Sequence, residues 1–317
     1  MLKTIYPHAS KLIYGCMGLG GGWDTPHYDQ SHIKQAEKII NIAIETGITV
    51  FDHADIYTHG KAEAVFGEVL KKTPSLRDSV ILQSKCAIRF SDNHGPKRYD
   101  FSPEWITSSV ENSLKRLHTE QLDILLLHRP DPLMEPELLA EALCRLKNAG
   151  KIAHLGVSNM HAHQIEFLNK TLDMPIIVNQ LEMSLAHRDW LEDGITTGSS
   201  LNRQMGYAAG TLEYCWLNHV QLQAWGSLAQ GRFSGKVTEC IKDEATRALV
   251  LQLAEKYSSS PEAIVLGWLI RHPIGIQPVV GTTHPERIRA CAEVDKLTLS
   301  REDWYALLQS VRGDEVP

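Results

Sequence analysis

The 317-residue sequence predicts an α/β fold, a (β/α)8 TIM barrel with an additional C-terminal helix, read as a single domain over 1–317. Three observations predict it. Short apolar runs of β-branched residues recur eight times, each run is followed by a stretch of helical period, and the alternation holds from one end to the other. Strands apolar on both faces belong in a parallel sheet covered by helices, and eight successive strand–helix units of about 250 residues close naturally into a barrel.

The strands are expected at KLIYGCMG (11–18), TVFDHA (49–54), VILQSKC (80–86), LDILLLH (122–128), HLGVSN (154–159), IIVNQLE (176–182), LQAWGSL (222–228) and QPVVGTT (277–283). Helices fill the intervals. Ala36, Ile39, Ile40, Ala43 and Ile44 follow the i, i+3, i+4, i+7, i+8 pattern of one buried face, and Gly47 can close that helix in a left-handed conformation. Ser102-Pro103-Glu104 supplies an N-cap, a proline at the first helical position and an acid near the positive helix end. Ile106, Val110, Leu114 and Leu117 then line its inner side. The next helix buries Leu138, Leu139, Ala142, Leu143 and Leu146 and stops at Gly150. Ser260-Pro261-Glu262 opens another, and Ser300 to Asp303 opens the C-terminal helix outside the repeat. A doubly wound open sheet is the competing architecture, but its G-x-G-x-x-G turn is broken here. After the first strand the chain reads Gly18-Leu19-Gly20-Gly21-Gly22-Trp23, with tryptophan in place of the third glycine and no helix start at once.

Composition excludes several function classes. With 43% hydrophobic and 22% charged residues and no low-complexity tract, the chain is an ordinary globular one. Its net charge of -6 disfavours nucleic acid or an anionic membrane as main partner, so an anionic ligand must be held by a local site. The amino-terminal MLKTIYPHASKL carries no apolar signal core and no run is long enough to span a bilayer, which predicts a cytoplasmic protein. Six cysteines lie scattered without CxxC spacing, most of them expected as small buried hydrophobes and none as disulfides or zinc ligands.

Catalytic groups of an eight-fold barrel sit at the carboxyl ends of its strands. Here those ends are polar. The second strand delivers Asp52 and then Tyr57, the third Lys85, and the fourth His128; later strands end in Ser158-Asn159, carry Asn179-Gln180, run through Trp225-Gly226-Ser227, and close with Gly281-Thr282-Thr283. Any one of these could be a structural or solvated group. A carboxylate, a phenol, an ammonium and an imidazole on three consecutive strands, all at one end, would instead converge in a single mouth.

The set Asp52, Tyr57, Lys85 and His128, in the contexts FDHADIY, SKC and LLLHRPDP, resembles the catalytic tetrad of the aldo-keto reductase superfamily. FDHADIYTHGKAEAVFG is similar to that family's D-x-A-x-x-Y-G-x-x-E motif, GVSN to its fifth-strand signature, and AWGSLAQGRFSGK with VVGTTHPERIR to its two cofactor segments. DHADIY and HRPDPLM are most similar to the family's bacterial YdhF-like branch. The resemblance implies an NADP-dependent oxidoreductase that reduces an aldehyde or ketone, with NAD less suited. Tyr57 would be the general acid, Lys85 would favour its phenolate, Asp52 would hold Lys85, and a neutral His128 would orient the substrate carbonyl.

By the same resemblance, Ser158, Asn159 and Gln180 bind the carboxamide of the cofactor and Trp225 stacks on its nicotinamide. Gly18 and Asp52 belong to the cofactor set. Gly226, Ser227, Leu228, Ala229, Gln230 and Gly231 wrap the pyrophosphate, helped by Lys236, while Gly281, Thr282, Thr283 and Arg287 hold the adenosine phosphate at a helix amino terminus. The chain departs from its relatives in having Gly226-Ser227 where Ser-Pro is usual, and in lacking lysine at Gly281 and His284. Trp23, with Tyr57 and His128, is expected to meet the substrate, and Trp190, in the loop after the sixth strand, is a second candidate wall. His53 and His59 flank the active loop and are candidates to line the substrate mouth. His161-Ala162-His163 suggests a metallohydrolase, but the pair falls at a helix start rather than on an early strand, so no metal is expected. A regulatory or redox-sensing subunit that binds cofactor and turns over slowly is the alternative function.

Overall fold

The computed structural model describes residues 1–198, 207–235 and 241–317. Its barrel strands are β1 (Ile13–Gly15), β2 (Val50–Asp52), β3 (Ile81–Cys86), β4 (Leu122–Leu127), β5 (Ile152–Ser158), β6 (Ile176–Glu182), β7 (Gln221–Trp225) and β8 (Gln277–Val280). All pairs are parallel, each strand lies beside its predecessor, and the seam closes where Ile13 of β1 faces Val279 of β8. The predicted (β/α)8 barrel is the observed fold.

The helices are α1 (Gln30–Glu45), α2 (Lys61–Lys72), α3 (Pro103–Leu117), α4 (Pro136–Asn148), α5 (Ala162–Asn169) and α6 (Asp189–Ile195). They continue with α7 (Thr211–Leu217), α8 (Ile241–Lys256), α9 (Pro261–Ile270), α10 (Pro285–Ala292) and the C-terminal α11 (Arg301–Arg312). The expected caps form: Ser102, Ser260 and Ser300 each accept a backbone N–H of the first turn they precede, and Gly47 and Gly150 are left-handed after α1 and α4. On α11, the Trp304 indole stacks on Trp268 of α9 at 5.2 Å, and each indole N–H donates to the other residue's carbonyl.

Three expectations need correction. Several strands stop short of their predicted ends: β1 turns into a 3-10 segment at Cys16–Gly18, β2 ends at Asp52, β8 ends at Val280, and β7 gives way to Gly226 at φ 66°. Residues beyond the last rung, such as Cys16 and the β-branched Thr282 and Thr283, suit a strand but lie where the chain turns out of the barrel. Leu138 is 40% exposed, because its neighbour Leu139 takes the inward direction and one helical step of about 100° turns Leu138 away. Trp190 lies on α6 rather than in a loop, buried edge-on against Trp268. Cys16, Cys86, Cys215 and Cys291 are buried as expected, Cys144 is half-buried, and Cys240 lies outside the described residues.

Inside the barrel the strands' two-residue period separates two storeys. Ile13, Val50, Ile81, Ile124 and Val178 fill the lower storey, joined by Leu2 from the amino-terminal turn. Facing outward, Tyr14, Phe51, Leu82 and Leu125 meet the helices in the main core. Among the described residues, no helix is long and apolar enough to cross a membrane, and no group of three or more His, Cys, Asp or Glu side chains could hold a metal ion.

Candidate active site

Two residues above Val50, Ile81 and Val178 the interior becomes polar, Gln180 standing above Val178. Above Val50 stands Asp52, above Ile81 stand Gln83 and then Lys85, and above Gln221 stand Gln223 and then Trp225. Gln83 and Gln223 exchange amide hydrogen bonds across the barrel at 2.8 and 2.9 Å. Gln180 joins them: the Asp52 Oδ1 accepts from Gln83 Nε2 at 2.6 Å and from Gln180 Nε2 at 3.2 Å, and Gln180 Nε2 also donates to Gln223 Oε1 at 3.1 Å.

Lys85 completes this network. Its ammonium donates to both Asp52 carboxylate oxygens at 2.6 Å and to the His53 carbonyl at 2.9 Å. Burial, the largest influence, pushes the Lys85 pKa down, but the Asp52 charge, Tyr57 and the hydrogen bonds to both together more than reverse that, and the pKa stands above its ordinary value. The same ammonium lies 5.0 Å from the centre of the Tyr57 ring. Burial raises the Tyr57 pKa, the Lys85 charge opposes that rise, and the net direction is upward. The sequence expectation that Lys85 favours the phenolate therefore describes an opposing influence, and burial outweighs it.

His128 faces Tyr57 edge-on, with ring centroids 6.1 Å apart. Its imidazole is held well below the usual range, first by burial and then by the charges of Lys85, Arg129 and Lys97, so it is neutral at pH 7. The Nδ1 atom is buried without a partner, which leaves Nε2 as the nitrogen open to the cavity. Backbone bonds beyond the strand ends fix these side chains: His53 and Asp55 donate to the Gln83 and Lys85 carbonyls of β3, and His128 donates to the Cys86 carbonyl.

Behind β3, buried Glu63 accepts from the Ser84 hydroxyl at 2.6 Å and pairs with Arg116 at 2.7 Å. Asp55 lies near this pair with its Oδ1 buried and unpartnered, and burial followed by repulsion from Glu63 pushes its carboxyl up to about 7.

The groups open onto one cavity of about 1020 Å3. One end is bounded by Met17, Trp23, Ile56, Tyr57, His128 and Arg129, and the other by His284, Arg287 and Glu262. Between them lie Ser158, Asn159, Gln180, Trp225 and the segment 226–228 with Gln230 and Gly231. Asn159, left-handed at φ 59°, accepts from the Trp225 indole at 3.0 Å and donates to Ser158 Oγ at 2.7 Å, so the three form one ordered shelf. At the far end α10 follows His284, which gives it no side-chain cap; Pro285 has no N–H and the Arg287 N–H donates to the His284 carbonyl, so an anion would meet the helix start through the Glu286 N–H, and Arg287 makes no ion pair among the described residues. Glycines 226, 231 and 281 add no side-chain bulk to this wall, and a Cβ at Gly231 would meet nothing within 4 Å. An extended molecule with a planar ring at one end and phosphates toward the other fits these features.

Residues 11–311 match the family model described as the aldo/keto reductase family. The chain belongs to the aldo/keto reductase family. It is 33% identical to the oxidoreductase YdhF of Escherichia coli, over 99% of this chain and 98% of that protein. It is also 33% identical to a 6-dehydroglucose reductase of Agrobacterium fabrum, over 97% and 96% of the two chains. A solved aldo/keto reductase from Klebsiella pneumoniae, in complex with NADP and acetate, superposes with a TM-score of 0.71 at 25% identity, covering 98% of this chain and 93% of that one.

Within this aldo/keto reductase, most residues expected at the site line the cavity. Thr282 and Thr283 do so with Gly281, while Lys85 sits just beneath the floor. Gly18 and Ala229 do not line it: Gly18 packs behind the wall, where a Cβ would come 3.0 Å from the Thr283 methyl. Lys236 lies outside the described residues. His53 is fully buried, packed on Phe66 at 4.7 Å with neither ring nitrogen bonded, and its imidazole is lowered to about 3 by burial and by Lys85; it lines no mouth. His161 caps α5 through Nδ1 and is a structural group. Gln83, Gln223, Glu63 and Arg129 were missed. The first two carry a readable signal, since each stands two positions before Lys85 or Trp225 on the same strand face.

Proposed function

We propose that this chain reduces an aldehyde or ketone to the alcohol with NADPH, and that Tyr57 donates the proton to the carbonyl oxygen. The observation that carries the reading is the buried Asp52–Lys85 pair lying under Tyr57, with neutral His128 beside it, at one end of a cavity whose other end holds Arg287. A bound dihydronicotinamide would supply the hydride, which no side chain can. Ser158, Asn159 and Gln180 would hold its carboxamide and Trp225 its ring face, with the 226–231 turn and Arg287 along its phosphates.

Tyr57 enters protonated, since its pKa is raised, and a proton on His128 Nε2 would direct the carbonyl oxygen toward the phenol. Lys85 then stabilises the phenolate that proton transfer leaves, and Asp52 keeps Lys85 charged for that step. The NADP-bound relative, and an Arg287 that makes no ion pair among the described residues, support NADP over NAD. The name of the Agrobacterium relative makes 6-dehydroglucose one substrate to assay beside simple aldehydes. The whole chain, 1–317, is read as one domain serving this site.

Stopped-flow oxidation of bound NADPH by a panel of aldehydes tests the proposal. Tyr57→Phe should bind NADPH as the wild type does and reduce the carbonyl roughly 10²–10⁴-fold more slowly. Near-normal turnover in that variant refutes the role of Tyr57, and wild-type oxidation no faster than spontaneous decay favours a cofactor-sensing subunit instead.

A further inference from the structure

Immediately after Tyr57 the backbone is left-handed at three successive residues, Thr58 (φ 47°), His59 (φ 60°) and Gly60 (φ 84°). A β-branched threonine in that region is an outlier, and such conformations persist only where the surroundings enforce them. Here the enforcing partner is the loop after β1. The Thr58 hydroxyl donates to the Leu19 carbonyl at 3.1 Å, the buried Lys61 ammonium donates to the Gly22 carbonyl at 2.8 Å, and His59 Nε2 donates to the Trp23 carbonyl at 3.0 Å. Contact is close enough that a Cβ at Gly20 would come 2.8 Å from the Lys61 Cβ. The His59 ring also stands edge-on to Trp23 at 5.5 Å and touches Phe90, from the segment after β3, at 5.4 Å. Trp23 and Tyr57 line the same end of the cavity.

We propose that this left-handed turn is a latch that fixes the Trp23 wall relative to Tyr57, and that His59 is a positioning residue through which the enzyme selects carbonyl compounds bearing a ring-sized substituent. Thr58 and Lys61 secure the base of the loop, whereas His59 alone among the three reaches Trp23 itself. A substituent large enough to reach Trp23 meets a wall of fixed position; a short aliphatic aldehyde does not reach it. The substrate arm of this proposal rests on the reductase reading above, and the spectroscopic arm does not.

The decisive pair is His59→Asn and His59→Gln. Asparagine tolerates the left-handed backbone but is too short to reach the Trp23 carbonyl, whereas glutamine can span a similar distance and donate. The ratio of kcat/KM for 4-nitrobenzaldehyde to that for propanal should fall roughly tenfold in His59→Asn, mostly through KM, and recover in part in His59→Gln. In protein labelled with 5-fluorotryptophan, the Trp23 resonance, assigned with Trp23→Phe, should shift or broaden in His59→Asn and return toward its wild-type position in His59→Gln. A Trp23 resonance unmoved by His59→Asn overturns the latch, and so does an unchanged substrate ratio. If the wild type reduces neither aldehyde, the reductase reading fails, and the fluorine spectra alone decide the latch.

Discussion

The lower and upper storeys of the barrel are built by the same strands and sit only two residues apart, yet they obey opposite rules. Below, Ile13, Val50, Ile81 and Ile124 exclude water and gain by filling space. Above, Asp52, Gln83, Lys85, Gln180 and Gln223 are just as buried, but they are tolerated only because each finds a hydrogen-bond partner. The lower storey contributes stability that any well-packed hydrocarbon could supply. In the upper storey, charge is held out of water at a cost, and that cost leaves an ammonium fixed beneath a phenol.

The sharpest way to break this contrast is to remove one partner above. Lys85→Met should lower the unfolding free energy in urea by about 3–5 kcal/mol, since it strands the Asp52 carboxylate, and adding Asp52→Asn should recover much of the loss. If the double variant is no more stable than the single, the carboxylate was not the source of the cost. Below, Ile124→Ala should cost about 2–5 kcal/mol by opening a cavity, with NADPH affinity measured by fluorescence titration left at the wild-type value. A large loss of affinity there would mean the storeys are coupled.

The smallest effect concerns Asp55, behind the upper storey, whose carboxyl is raised from an ordinary 3.8 to about 7. A group raised in the folded state contributes stability that is complete below about pH 4 and is lost as pH climbs through 7. Asp55→Asn should therefore flatten the stability profile between those values and gain about 1 kcal/mol or more at pH 8. A profile unchanged by the substitution would show that the carboxyl ionises freely in the folded protein.

The contrast also explains what the sequence disclosed. The eight strands were legible because alternating apolar runs and helical stretches record burial directly, and the tetrad because four ionisable groups cluster at strand ends. Strand limits were less legible, since Cys16 and the 281–283 segment have strand-like character but lie where the chain leaves the barrel. His53 was misplaced because a histidine beside an active aspartate reads as a mouth residue, when its direction one step from Asp52 sends it into the packing against Phe66. The Thr58–His59 turn left no signal at all, because nothing in those two residue types announces a left-handed backbone.

The seam between β1 and β8 carries a consequence for how the molecule assembles. Ile13 and Val279 join segments from opposite ends of the sequence, so closing that pairing demands the greatest loss of chain entropy of any strand contact. Gly15 and Gly281, which flank the seam, also line the cavity, and the binding surface is unfinished until the two ends meet. A dinucleotide that grips both sides would act as a clasp, stabilising the closed pairing against opening.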